Sequence, residues 1–166
     1  MTTIASTAGK PRTAPALTPH LWFDKEAVEA AEFYVSVFPG SHIDAVDRIE
    51  GTPSGDCDLV SFTLAGLPFM AISAGPAFRF NEAISLMIPC ETQAEIDYYW
   101  TVLAADPEDG VCGWIKDRYG LSWQVSPAAI NDWMASGDAA AKARLTAAIL
   151  ASRKFDIDAL RKAFEG

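Results

Sequence analysis

The segment Cys112–Gln124 constrains the fold more than any other part of the chain, because it reads as a complete hairpin. Asp117–Gly120 has the residues of a tight turn, and the side chains that follow alternate between apolar and polar. The apolar face of that last strand holds Leu121, Trp123 and Val125. The polar face holds Ser122, Gln124 and Ser126. A strand with one small polar face suits the lining of a cavity. In the turn before it, we expect Asp117 and its neighbours to be turn and surface residues.

Composition restricts the partners of the chain. Half of its 166 residues are hydrophobic, which suits one domain with a real core, and its formal net charge of -9 disfavours a nucleic-acid-binding surface. No apolar run approaches the ~20 residues of a membrane span, so we expect no membrane partner. The three cysteines are far apart and form no CxxC pair, which predicts reduced thiols in the cytoplasm and neither a disulfide framework nor a zinc site.

Two passages of the chain repeat a strand–helix–strands order. The first passage has predicted strands at Leu17–Phe23, His42–Ile49, Leu59–Leu64 and Pro68–Ser73, with Asp24 as the N-cap of its helix. The second has a strand at Ile84–Ile88, a helix opened by the capping box Thr92–Glu95, and then the hairpin. The aromatic pairs Phe33–Tyr34 and Tyr99–Trp100 occupy similar places in the two helices. The pattern predicts an α+β fold in which two paired βαβββ-type modules form a cupped mixed sheet with helices outside.

Four segments follow from this organisation. We predict a flexible lead over residues 1–16, a first module over 17–76, a βαβββ-like second module over 77–126, and a C-terminal helical extension over 127–166. Residues 17–166 would form one compact domain. Ser126–Pro127 is expected to open the extension with proline at the first helical position, and Asp138 and Asp156 are expected to cap its two later helices. We expect these helices to pack on the sheet or on a second subunit.

Five stretches carry a family likeness: Thr18–Asp24, Glu32–Tyr34, Phe78–Ala83, Asp97–Trp100 and Cys112–Val125, with a further likeness at Phe155–Leu160. Together they resemble the PhnB-like branch of the vicinal oxygen chelate superfamily, which has the glyoxalase and bleomycin-resistance fold. Such proteins are often labelled 3-demethylubiquinone 3-methyltransferase-like, and they commonly form homodimers. The scattered glycines of this chain form no GxGxxG turn, so the sequence does not favour methyl transfer from a nucleoside cofactor.

The resemblance implies four positions at which metal-dependent members of the superfamily hold a divalent ion. In this chain those positions fall at His20 or its neighbour Pro19, at Ser73 or Ala71 on the same face, at Ser85, and at Gln124. One imidazole, one amide and two hydroxyls make a weak donor set for a transition metal. We therefore expect no tight metal site and no cofactor. If a divalent metal binds, His20 and Gln124 are its expected ligands.

The leading functional hypothesis is a small-molecule-binding protein, with or without catalytic activity. We expect its ligand to be small and partly apolar, and either uncharged or rich in oxygen atoms. Strand alternation, taken with the resemblance, predicts a cavity lined by His20, Trp22, Ser73, Ser85, Met87, Ser122 and Gln124. One alternative is a divalent-metal-dependent lyase, isomerase or dioxygenase. Another is a non-catalytic resistance-type binder that sequesters its ligand in a pocket formed by dimerisation.

Overall fold

A computed structural model of the chain describes residues 17–166, and the predicted flexible lead lies outside them. The described residues form seven strands and five helices, which confirms the α+β class. The strands divide into two small mixed sheets, one of four strands and one of three, which we call sheet A and sheet B.

Sheet A contains the first four strands in the order β1-β4-β3-β2. Their bounds are β1 His20–Phe23, β2 His42–Thr52, β3 Gly55–Leu64 and β4 Leu67–Ser73. The first strand pairs parallel to β4, and the remaining pairs are antiparallel. Helix α1, Ala27–Val37, covers one face of the sheet, where Phe23, Phe62 and Ala71 are buried. We call the other face the open face of sheet A.

Sheet B contains the last three strands in the order β5-β7-β6. Their bounds are β5 Leu86–Cys90, β6 Trp114–Lys116 and β7 Ser122–Pro127, and α2 spans Gln93–Leu103. Helix α2 begins with the predicted capping box, in which Thr92 and Glu95 each accept a hydrogen bond from the backbone of the other. Trp123 and Val125 are buried on the helix-covered face. The opposite face of this sheet is the open face of sheet B.

The start of α1 differs from the prediction. The helix begins at Ala27, and no side chain of its own caps it, so Asp24 is not the N-cap. The hydroxyl of Ser73, at the end of β4, accepts a hydrogen bond of 3.0 Å from the backbone N–H of Ala27. A residue from a neighbouring strand therefore satisfies one of the free N–H groups at this helix end.

The two modules join through their helix-covered sides. Tyr34 of α1 and Phe38, which follows that helix, both pack on Trp123 of sheet B, with ring centroids 5.5 and 5.4 Å from that of Trp123. Phe38 also stacks on Tyr99 of α2 at 5.1 Å. Because the shared core lies between the helix-covered sides, the open faces of sheets A and B are not brought together by these contacts.

The extension forms three helices, α3 Ala129–Ser136, α4 Ala139–Ala151 and α5 Ile157–Glu165. Pro127 is the last residue of β7 and not the first of a helix, which corrects the predicted opening of the extension. The capping roles of Asp138 and Asp156 are confirmed, since their carboxylates accept hydrogen bonds from the N–H groups of Ala141 and Ala159. Among residues 17–166, none of the helices has the length and apolar character needed to cross a bilayer.

Candidate functional site

The open face of sheet B carries a row of side chains fixed by strand register. Gln124 lies in register with Met87 of β5 on one side and with Trp114 of β6 on the other. Ser122 lies opposite Lys116 on the same face, two residues before Gln124. Ser85 precedes β5 directly. We call Ser85, Met87, Trp114, Ser122 and Gln124 the open-face site.

Gln124 and Ser85 are in direct contact. The side-chain amide Nε2 of Gln124 donates a hydrogen bond of 2.7 Å to the hydroxyl oxygen of Ser85. Both side chains are half-buried, and the carbonyl oxygen of the same amide remains an acceptor. The contact places these two residues on one side of the sheet, as strand alternation predicts, and orients the amide within the site.

Ser122 is the most unusual member of the site. It is only 1% exposed, and within residues 17–166 its hydroxyl oxygen has no hydrogen-bond partner. Leaving a buried hydroxyl without a partner costs about 1–3 kcal/mol. Ser122 is among the residues that line a cavity of about 590 Å³.

Charged side chains line the same cavity. Lys116, which lies opposite Ser122, forms an ion pair with Glu82 from the segment before β5. The hydrogen bond from Lys116 lowers the pKa of the Glu82 carboxyl below its ordinary value. Asp106 and Asp109 also line this cavity, so its charged lining has both signs.

A second cavity lies on the other side of Gln124. Its volume is about 250 Å³, and Met87, Trp114 and Gln124 contribute to its lining from sheet B. The rest of the lining comes largely from the extension, including Ile130 of α3 and Ile149 of α4. We call it the extension cavity. None of the residues that line it carries a charge.

Two predicted site residues lie on the other sheet. His20 and Trp22 stand beside Met70 and Ile72 on the open face of sheet A. The indole N–H of Trp22 donates to the carbonyl oxygen of Gly75 at 2.8 Å, and its ring helps to line a separate cavity of about 350 Å³. The chain therefore does not bring His20 and Trp22 together with Gln124 in one cavity.

Ser73 is not brought together with the other predicted site residues, because it lies on the helix-covered face of sheet A. In the parallel pairing of β1 and β4 it lies in register with Phe23, on the face that α1 covers. Ser73 is 8% exposed, and its hydroxyl accepts a hydrogen bond from the N–H of Ala27. Ala71, the alternative on the same face, is fully buried.

The donors for a family-type divalent metal do not converge. His20 is on sheet A and Gln124 is on sheet B, with a serine hydroxyl as the neighbour of the amide. In the part of the chain that the structure describes, no three His, Cys, Asp or Glu side chains are grouped to hold a metal ion. The residues at these positions in a single chain therefore do not fit such an ion.

Asp117 is buried, although the sequence places it at a surface turn. It is 2% exposed, and its carboxylate accepts hydrogen bonds from the hydroxyl of Tyr34 and the indole N–H of Trp123, both at 2.8 Å. The backbone N–H groups of Tyr119 and Leu121 donate to its other oxygen. Burial raises the pKa of Asp117, and these hydrogen bonds oppose that rise. The carboxylate fixes the hairpin turn and joins it to α1.

Comparison with known proteins identifies the relatives of this fold. Residues 15–126 match the family model described as 3-demethylubiquinone-9 3-methyltransferase. A protein from Bacillus cereus, described as a putative 3-demethylubiquinone-9 3-methyltransferase and PhnB protein, is 32% identical, with 68% of this chain and 98% of that chain covered and a TM-score of 0.58.

A protein from Pseudomonas aeruginosa is 20% identical, with 66% of this chain and 95% of that chain covered and a TM-score of 0.53, which shows the fold alone. The search of curated proteins finds no match. The extension, residues 127–166, follows the segment that the family model covers.

Proposed function

The chain belongs to the PhnB-like family of 3-demethylubiquinone-9 3-methyltransferase-like proteins, and we propose that it binds a small molecule on the open face of sheet B. The observation that carries the proposal is Ser122, a residue that lines a cavity and whose buried hydroxyl has no partner among the described residues. Beside it stands the amide of Gln124, oriented by Ser85. These groups offer hydrogen bonds to a ligand's oxygen atoms, while Trp114 and Met87 offer apolar contact.

Methyl transfer, which the family description names, has little support in this fold. A nucleoside cofactor is usually held at a glycine-rich strand-to-helix turn of a doubly wound parallel sheet. The described residues instead form two mixed sheets that contain antiparallel pairs. We therefore propose ligand binding at the open-face site, with or without turnover, as the function.

We also propose that the ligand-binding form is a homodimer. The open faces of the two sheets are not joined within one chain, and Met87 of sheet B is 55% exposed. A second copy that set its sheet A against this face would bring another His20 and Trp22 toward Gln124. Light scattering should then give twice the chain mass of 17.9 kDa, and a mass equal to one chain would contradict the dimer.

A thermal-shift screen of small neutral compounds that carry hydroxyl, carbonyl or amide groups tests the binding proposal. We expect compounds that stabilise the wild type, and we expect Ser122→Ala and Gln124→Leu each to reduce that stabilisation. Losing one hydrogen bond to a ligand should weaken binding by about tenfold, which corresponds to ~1.4 kcal/mol. Incubation of the hits with protein, followed by product analysis, separates an enzyme from a sequestering binder.

Ser73→Ala is the matched control, because it removes a buried serine hydroxyl from the helix-covered face of sheet A, away from the open-face site. It should lower the stability of the free protein by about 1 kcal/mol, since the N–H of Ala27 loses its partner, and it should leave ligand stabilisation unchanged. Ser122→Ala should leave the free protein as stable as the wild type or more so, because its hydroxyl has no partner to lose. Equal ligand stabilisation in wild type, Ser122→Ala and Gln124→Leu would contradict the proposed site.

A further inference from the structure

The extension is firmly attached beside the open-face site. The backbone N–H groups of Cys112 and Gly113 donate to the carbonyl oxygens of Ser152 and Arg153, at 2.9 and 2.8 Å. Phe155, which follows them, is 3% exposed and packs directly over Gly113. The extension is therefore held by the hairpin that carries the site.

Further hydrogen bonds hold this segment and the start of the extension. The side chain of Gln93, at the start of α2, donates to the carbonyl oxygen of Phe155 and accepts from the N–H of Ile157, at 3.1 and 3.0 Å. Ala128, just before α3, donates to the carbonyl oxygen of Cys90 at the end of β5 at 2.9 Å. Because both parts are bonded to sheet B and α2, the helices between them hold a fixed position.

That position makes α3 and α4 one wall of the extension cavity. Ile130 and Asn131 reach it from α3 and Ile149 reaches it from α4, opposite Trp114 and Gln124 of sheet B. The lining is mainly apolar and contains no lysine, arginine, aspartate or glutamate. A charged ligand group would lose part of its hydration there without gaining an opposite charge, which is costly.

We propose that the extension sets the ligand specificity of the open-face site, and that Ile130, Asn131 and Ile149 select a neutral compound with one small ring or a short apolar chain and a single amide or hydroxyl group. The proposal rests on the proposed function, because Gln124 belongs to both. The cavity of about 250 Å³ limits the apolar part to about one ring, and the amides of Asn131 and Gln124 bond to the polar group. The residues that select the ligand therefore lie partly beyond the segment matched by the family model, which ends at residue 126.

Benzamide is a suitable probe, with benzoate and benzylammonium as charged compounds of nearly the same shape. Titration of the full chain, followed by NMR of the backbone and side-chain amides, should show benzamide binding with a dissociation constant of about 1 mM. The side-chain signals of Gln124, Asn131 and Trp114 should shift. Benzoate and benzylammonium should bind at least about tenfold more weakly. Equal binding of the three compounds, or no benzamide binding at about ten times that concentration, would overturn the proposal.

Two variants of the extension, each with a control on the same helix, assign the effect. Asn131→Asp should weaken benzamide binding and strengthen benzylammonium binding, each by about fivefold, whereas Asp132→Asn, which changes a charge outside the lining, should alter neither. Ile149→Phe should fill the cavity and weaken benzamide binding by about tenfold, whereas Thr146→Phe on the exposed side of α4 should not. Asn131 is exposed, so its variant keeps the test valid if Ile149→Phe does not fold.

The outcomes separate this inference from the proposed function. Benzamide binding that depends on Gln124 but is unchanged by Asn131→Asp and Ile149→Phe would refute the role of the extension and leave the open-face site in place. Benzamide binding that depends on Asn131 and Ile149 but not on Ser122 would support the extension cavity and refute only the part of the proposed function that rests on Ser122. Loss of binding in the two extension variants, with their controls unchanged, is the expected result.

Discussion

Replacing Asp117 by Asn tests whether one buried carboxylate joins the hairpin to the first module. One carboxylate oxygen accepts from the hydroxyl of Tyr34 and from the indole N–H of Trp123, and the other accepts from the N–H groups of Tyr119 and Leu121. An asparagine has one acceptor oxygen, so its NH₂ group must face one of these two pairs of donors. The hydroxyl of Tyr34 can rotate to accept a hydrogen bond, but the N–H of Trp123 cannot. At least one buried donor is therefore left without a partner.

The expected loss for Asp117→Asn is about 3 kcal/mol in the free energy of unfolding, since a buried donor without a partner costs about 1–3 kcal/mol and bonds to a charged acceptor are stronger than neutral ones. Urea unfolding at pH 7 measures it. Tyr34→Phe is the matched control, because the carboxylate keeps three of its four donors; it should cost about 1 kcal/mol. A smaller loss for Asp117→Asn than for Tyr34→Phe would refute the view that the carboxylate is the centre of this cluster.

The pH dependence of the stability difference between wild type and Asp117→Asn adds an independent check. Burial raises the pKa of Asp117 above its ordinary value of 3.8, so the folded state holds this proton more tightly than the unfolded state does. Stability from this group is therefore fully present below 3.8 and falls as the pH rises through the raised folded-state pKa. Asparagine does not titrate, so the stability difference between wild type and Asp117→Asn should widen as the pH is lowered from neutrality toward 4. A difference that narrows would contradict the raised pKa.

Two further predictions concern the hairpin and the thiols. Gly113→Ala should lower the free energy of unfolding in urea by about 2 kcal/mol more than Gly66→Ala does. Both glycines have positive φ, but only at Gly113 would an added Cβ meet Phe155, at 2.3 Å. Equal losses would contradict this close packing. Burial raises the pKa of the Cys90 thiol to about 12. A thiol reagent at pH 8 should therefore modify half-buried Cys112 in the folded protein, and Cys90 only after unfolding. Labelling of Cys90 in the folded protein at the same rate as Cys112 would contradict its burial.

The hairpin and its faces could be predicted because they depend on local sequence. Alternation of side chains has a period of two residues, so the order of Leu121, Ser122, Trp123 and Gln124 separates one face from the other without any knowledge of the remaining fold. The contact between Gln124 and Ser85 follows from that separation and from the parallel pairing of β5 with β7. Trp114 could have been found by the same rule, since it faces Gln124 across the hairpin.

Which face of a strand is covered by a helix could not be predicted in the same way. Alternation divides β4 into two sets of residues, but only the packing of α1 decides that the set with Ala71 and Ser73 is covered. The bond from the N–H of Ala27 to Ser73 joins residues far apart in the sequence, and so does the bond from Tyr34 to Asp117. The burial of Asp117 and the capping role of Ser73 therefore emerge only from tertiary structure.

The position of Trp123 explains why a single chain does not build the predicted cavity from both modules. Its indole packs against Tyr34 and Phe38 and donates to Asp117, so the helix-covered side of sheet B is used to hold the first module. The open face of sheet B must then be walled by something other than sheet A of the same chain. The extension supplies one such wall through α3 and α4, and a second copy would supply another. In the proposed function, ligand contacts within one chain would therefore come from sheet B and the extension, whereas contacts from His20 and Trp22 would require the proposed dimer.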